Sequence, residues 1–92
     1  MQINKTNAFA RSARRLHKNQ AISLENCIEE IRVNPTIGEG KKGDCSGIRV
    51  YKFHMLDQLS LLAYKYDETR EEIILLDVGS HENFYRNLKR QL

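Results

Sequence analysis

Residues 48–78, IRVYKFHMLDQLSLLAYKYDETREEIILLDV, decide the fold. Three runs within them, Ile48–Leu56, Leu59–Tyr66 and Glu72–Val78, are rich in β-branched, aromatic and other apolar residues that suit a pleated, half-buried surface. Asp57-Gln58 and Asp67–Arg70 separate them with short polar connections. Connections this short join only antiparallel neighbours, so the spacing predicts a three-strand antiparallel meander. The middle run, LSLLAYKY, is nearly continuous in apolar residues, so at least one face of the sheet must be covered by another layer.

Upstream, residues 36–47 (TIGEGKKGDCSG) hold Gly38, Gly40, Gly43 and Gly47 and read as a loop. Before the loop, Leu24, Cys27, Ile28 and Ile31 recur at helical spacing with Glu25, Glu29, Glu30 and Arg32 off the stripe, which predicts a helix from about Gln20 to Val33. Asn34-Pro35 ends it, because the proline ring disfavours α backbone at the preceding residue. Phe9, Ala13 and Leu16 mark an earlier amphipathic helix, which Thr6 or Asn7 can cap by accepting a bond from a free backbone N–H. His17-Lys18-Asn19 is the turn, short enough to make the two helices an antiparallel hairpin. Residues 1–5 (MQINK) form a short first strand anchored by Ile3. Downstream, Gly79 breaks the last strand, Ser80 caps a final helix from His81 to about Leu92, and Phe84 and Leu88 point inward. The expected fold class is α+β: a helical hairpin packed on a small antiparallel sheet of a short first strand and the meander, closed by a short C-terminal helix. Residues 1–92 make one domain.

With 92 residues, 40% apolar and 29% charged, the composition is ordinary for a small globular domain and too apolar for a disordered chain. No run is long and apolar enough for a signal peptide or a bilayer span, so a cytoplasmic protein without a membrane partner is expected. Cys27 and Cys45 are too few for a disulfide scaffold. Cys27 falls on the apolar helix stripe as a small buried hydrophobe, whereas Cys45 sits in the loop as a candidate free thiol. His17, His54 and His81 have no metal-ligand spacing and C-x-x-C is absent, so neither a metal nor another cofactor is expected. GEGKKGD over 38–44 is not a phosphate-binding P-loop: a helix precedes it, a strand follows it, and Asp44 stands where a hydroxyl is needed.

The net charge is only +3, but its distribution is uneven. Residues 1–24 hold Lys5, Arg11, Arg14, Arg15 and Lys18 and no acid, and the last turns add Arg86, Lys89 and Arg90. A basic face attracts polyanions, which makes Arg11, Arg14, Arg15, Lys41, Lys42 and Arg86 candidates for contacts with a nucleic-acid backbone. A solvated helix surface would read the same way. The second constellation is His81 and Tyr85, four residues apart on the expected last helix and so side by side on one face. An imidazole beside a phenol, with cations near, can move the proton of a ribose 2′-hydroxyl while charge on the phosphate is steadied. The plainer reading is a packed histidine and tyrosine at a helix start, and composition and spacing alone prefer it.

Taken together, the motifs resemble the RelE/ParE superfamily of bacterial toxin–antitoxin toxins over residues 7–91. The resemblance is carried by Asn34-Pro35 with Gly38, Gly47 with Arg49, Leu62 with Tyr64, and Val78-Gly79 with His81, Tyr85 and Arg86, in that order and spacing. It implies a toxin of a type II module, neutralised by a cognate antitoxin. Two target classes go with the superfamily. RelE- and HigB-like members cut mRNA on the ribosome, and ParE-like members inhibit DNA gyrase. A non-catalytic binding module on the same fold is a third reading, since fold does not fix function.

Carried over residue by residue, the nuclease pattern makes Arg49, His81 and Tyr85 the catalytic set of a metal-independent endoribonuclease, with Tyr51 beside Arg49 contacting RNA. The middle strand departs from that pattern, with Ser60 and Leu61 where an arginine is usual. Lys52 or His54 could compensate. Strand alternation puts Arg49, Tyr51 and Phe53 on one face and Lys52 with His54 on the other. Both groups can line one cleft only if a bulge intervenes.

Overall fold

The computed structural model describes residues 1–81 and 84–92. Its elements are β1 (Gln2–Lys5), α1 (Asn7–Arg14), α2 (Lys18–Val33), β2 (Glu39–Gly40), a 3₁₀ turn (Gly43–Cys45), β3 (Arg49–Met55), β4 (Gln58–Asp67), β5 (Glu72–Ser80) and α3 (Phe84–Lys89). They form one five-stranded sheet in the order β1-β5-β4-β3-β2. The α+β class, the helical hairpin over the meander and the C-terminal helix stand as the sequence predicts.

Five details differ. Strand β5 runs on through Gly79 to Ser80, which pair with Leu61 and Ser60, so Gly79 does not break the strand and Ser80 belongs to it rather than to a helix cap. The sheet is mixed, because β1 runs parallel to β5, pairing Gln2 with Glu72 through Lys5 with Leu75. The glycine-rich segment is not loop throughout: Glu39 and Gly40 pair with Val50 and Arg49 as an edge strand. Helix α2 begins at Lys18, two residues early, with the Gln20 side chain accepting a bond from the His17 N–H at 2.9 Å. Helix α3 begins at Phe84 rather than His81; His81 lies in a bend, and Glu82 and Asn83 lie outside the described residues. At its other end the helix stops at Lys89, and Gln91 and Leu92 bond back three residues in a tightened last turn.

The helix starts follow from local chemistry. Thr6 caps α1, its hydroxyl accepting from the Phe9 N–H at 3.1 Å while donating to the Leu76 carbonyl at 3.0 Å. One side chain thereby both begins the helix and ties it to β5. Helix α1 packs on β5 and α2 on β3.

The sheet is covered on both faces, which is why β4 is apolar at nearly every position. One core holds Phe9, Leu24, Cys27 and Ile31 of the hairpin against Leu62, Tyr64, Ile73, Leu75 and Val78. The other holds Phe84 and Leu88 of α3 and Cys45 of the 3₁₀ turn against Ile48, Val50, Leu61, Ala63 and Leu76. Cys45 is thus a free thiol, as expected, and is buried in this core. Burying a Leu- or Phe-sized side chain contributes about 1.5–3 kcal/mol, so α3 is held by its Phe84 and Leu88 anchors far more than by six residues of helix propensity.

Candidate functional site

The motif residues between α2 and β4 converge on one another. The Tyr64 hydroxyl donates to the Pro35 carbonyl at 2.8 Å and accepts from the Gly38 N–H at 2.9 Å. The Arg49 guanidinium, paired across the strands with Tyr64, donates to the Gly38 carbonyl at 2.8 Å and reaches the Thr36 carbonyl at 3.4 Å. Burial pushes the Tyr64 phenol above its ordinary value, so it stays a neutral donor and acceptor. Two side chains distant in sequence, Tyr64 and Arg49, thus pin the segment 35–38, where the chain leaves α2 and enters β2. Arg49 is occupied in this staple.

The pairing of β3 with β4 is unbroken from Arg49–Tyr64 to Met55–Gln58. The sheet's one irregularity lies instead between β4 and β5, beside Ala63 and Tyr64. No bulge intervenes in β3, so its alternation holds. Tyr51 and Phe53 pack towards the helical hairpin, and the Tyr51 hydroxyl donates to Glu30 Oε2 at 2.8 Å. That bond, with slight burial, pushes the Tyr51 phenol up to about 12. Val50 packs towards α3, so Lys52 and His54 share the α3 face and are exposed there.

His81 and Tyr85 belong to that second face. Leu61 pairs with Gly79, and a Cβ on Gly79 would meet the Phe84 ring at 3.9 Å, so Gly79 faces α3 and the chain runs on from there to His81. The His81 and Tyr85 rings meet edge-on with centroids 6.4 Å apart, although His81 precedes the described helix. Tyr85 also packs edge-on against Phe84 at 5.4 Å, which fixes its ring. Lys41 Nζ lies 5.5 Å from the centre of the Tyr85 ring and 3.2 Å from Glu39 Oε1. Partial burial pulls the Lys41 ammonium down, yet Tyr85 and Glu39 outweigh it and hold its pKa above the ordinary lysine value. It is a fixed cation.

The sequence-expected set is therefore divided. His81, Tyr85 and Lys41 come together, and Arg49 with Tyr51 does not join them, because one residue of strand alternation puts those two on the opposite face. Lys52 and His54 take their place on the α3 side. On the middle strand, Ser60 and Leu61 are both 0% exposed and supply no cation. Arg11, Arg14, Arg15, Lys42 and Arg86 are all exposed, as nucleic-acid contacts require. Sequence reading missed the Tyr64 staple and the Lys41–Tyr85 contact; both join segments whose spacing carries no period. The Lys52–His54 alignment was legible from alternation once Gly79 was placed across from Leu61. Chemically the α3 face offers two imidazoles, one phenol and two ammonium groups, sufficient for proton transfer next to an anionic centre.

Residues 3–89 match the family model described as ParE-like toxin of type II bacterial toxin-antitoxin system. No curated protein matches the sequence. Among solved structures, the chain is similar to the toxin of the intact Escherichia coli RelBE toxin–antitoxin complex (TM-score 0.73, 16% identity, 88% of this chain and 96% of that one). It is similar to the YoeB/ParE toxin from Agrobacterium tumefaciens (TM-score 0.71, 15% identity, 88% and 99%). It is also similar to a mutant of E. coli RelE in the free state (TM-score 0.77, 15% identity, 99% and 96%). At such identities the likeness establishes the fold alone.

Proposed function

The chain belongs to the ParE-like toxins of type II bacterial toxin–antitoxin systems, and from that premise we propose that it is a ribosome-dependent mRNA endonuclease silenced by a cognate antitoxin. The observation that carries the reading is the His81–Tyr85 pair, with Lys41 over the tyrosine ring, on the sheet face that also presents Lys52 and His54. In this reading a ribose 2′-oxygen attacks the adjacent phosphorus. Its proton passes to an imidazole of His54 or His81. The bond from phosphorus to the 5′-oxygen breaks, and a second group, with Tyr85 in reach, returns a proton to that oxygen. Lys41 and Lys52 offset the added charge on the phosphorane. The nucleophile is part of the RNA, so the protein has only to orient it, move protons and steady charge. The product is a 2′,3′-cyclic phosphate, and cleavage survives chelators.

A toxin of this fold has been solved in an intact RelBE complex, which supports an antitoxin as partner. An acidic, partly helical segment laid over the basic surface would complement its charge. Gyrase inhibition is the second reading, favoured by the buried Ser60 and Leu61 where the nuclease pattern has a cation. The deciding experiment adds purified protein to ribosomes carrying a defined mRNA and maps RNA ends, with gyrase supercoiling assayed in parallel. New ends on ribosome-bound mRNA sustain the nuclease; intact mRNA with blocked supercoiling replaces it by the gyrase reading.

A further inference from the structure

A trough of about 420 Å³ runs between α1 and the C-terminal turn, lined by Arg11, Ser12, Arg15, Asn87, Arg90 and Gln91, with Ala8 at its side and Asp77 on its floor. It continues into a second hollow of about 250 Å³ that shares Ser12, Arg15, Asp77 and Asn87 and ends at Gly79 and Ser80, just before His81. Helix α3 divides this trough from the site described above. Tyr85 and Lys89 face the glycine-rich segment, where Lys41 and Asp44 lie, and Asn87 faces α1.

We infer that the trough is a second, non-catalytic groove that takes an RNA phosphate backbone and holds the protein on the ribosome. The inference rests on the ribosome-directed reading above. Three guanidinium groups converge from two segments some 75 residues apart in sequence, and none of the three is ion-paired among the described residues. The one carboxylate among the described lining residues, Asp77, is 7% exposed and already engaged. It accepts from the Ser12 hydroxyl at 2.6 Å and the Val78 N–H at 2.9 Å, with Gln91 Nε2 at 3.5 Å. Asp77 thus anchors the trough's walls to its floor, and the rim stays cationic. Arg11 and Arg15, four residues apart on a helix, present their charges side by side. Asn87 and Gln91 add amide donors, which suit phosphate oxygens.

The occupant follows from what the lining lacks. Among the described residues, Ala8 is the only apolar side chain lining the larger hollow. A protein segment docks by seating aromatic or aliphatic anchors in apolar pockets; the arginine-rimmed larger hollow offers none, and Leu16, Val78 and Phe84 border only the smaller one. A phosphate backbone needs only regularly placed cations and donors.

The test measures co-sedimentation with purified bacterial ribosomes across a salt series. R11Q/R15Q/R90Q should reduce the slope of log affinity against log salt by about two to three and weaken binding about ten- to fiftyfold at low salt. R70Q, which removes an exposed cation of the β4–β5 turn outside the trough, should leave affinity and slope near the wild-type values. N87E, which adds a carboxylate to the trough and removes no arginine, should weaken binding alone. The substituted arginines and Asn87 are all exposed, and an unchanged melting temperature verifies the fold of the variants. Wild-type slope and affinity in the triple variant and in N87E overturn the inference. So does loss of affinity for the purified antitoxin with ribosome binding intact, since that makes the trough a peptide groove. A wild-type protein that binds ribosomes through the trough but cuts no mRNA refutes the nuclease reading and leaves the groove standing.

Discussion

Gly38→Ala should be among the most destabilising single-methyl additions in this protein. A Cβ at Gly38 would lie 2.8 Å from both Cε1 and the hydroxyl of Tyr64, closer than real contacts allow. Gly38 does not have a left-handed φ, so the alanine backbone itself would fit, and the cost is steric. The Tyr64 ring cannot yield cheaply, being 0% exposed and fixed at both lone pair and proton by Gly38 and Pro35. Overpacking a filled core costs about 1–3 kcal/mol, and each hydrogen bond lost with the shift adds about 0.5–1.5 kcal/mol. The expected loss is about 2–4 kcal/mol, a large share of the roughly 5–15 kcal/mol that holds a small domain together. At about 4–8 °C per kcal/mol for a domain of this size, the melting temperature should fall by about 8–30 °C. Urea unfolding should show a lower midpoint at unchanged slope. The same substitution in a Tyr64→Leu background separates mechanism from coincidence, because the shorter side chain leaves room for the added methyl. There Gly38→Ala should cost less than about 1 kcal/mol, with the difference read as the coupling of a double-mutant cycle. An equal cost in both backgrounds, or no change of midpoint in the first, refutes the steric argument.

The remaining expectations concern site, pH and turn. His54→Ala, His81→Ala and Tyr85→Phe should each slow single-turnover cleavage of ribosome-bound mRNA by about two to four orders of magnitude without lowering the melting temperature; wild-type rates in all three refute the site. Arg49→Ala should do the opposite, destabilising by about 1.5–3 kcal/mol through its lost carbonyl bonds while cleavage per folded molecule is retained. Alkaline pH should unfold the protein by a traceable route. Burial and then Glu30 push the Cys27 thiol from 9.0 to about 12, and the Glu30 bond pushes the Tyr51 phenol from 10.0 to about 12. Both folded-state values are raised, so the stabilisation is full below about pH 9 and is lost as pH rises towards 12. Tyr51→Phe should flatten that decline in urea titrations, and an unchanged curve counts against the bond. Leu56 has φ 58° at the β3–β4 turn and is exposed, an arrangement that costs a non-glycine residue about 1–2 kcal/mol. Leu56→Asn should therefore raise the thermal midpoint, and a fall would mean that the leucine makes a stabilising contact.

What the sequence determined by itself is whatever repeats with a period or breaks one. The meander, the amphipathic helices and the inward Phe84 and Leu88 follow from spacings of two and of three to four residues, and Asn34-Pro35 ends its helix through backbone constraint, whereas Gly79 does not end β5, which pairs on through Ser80. The pairing of His81 with Tyr85 was legible because four residues separate them. Tertiary structure decided the rest, because contacts between distant segments leave no period to read. That β1 lies parallel on β5, that Tyr64 and Arg49 hold Gly38 in place, and that Lys41 rests over Tyr85 each depend on where elements dock. The division of the candidate site is the sharpest case. Alternation along β3 said that Arg49 and His54 face opposite ways, but which face meets the C-terminal helix depends on where Phe84 and Leu88 find their core. They find it against Val50, Leu61 and Leu76, and so His54 and Lys52, not Arg49, share a face with His81 and Tyr85.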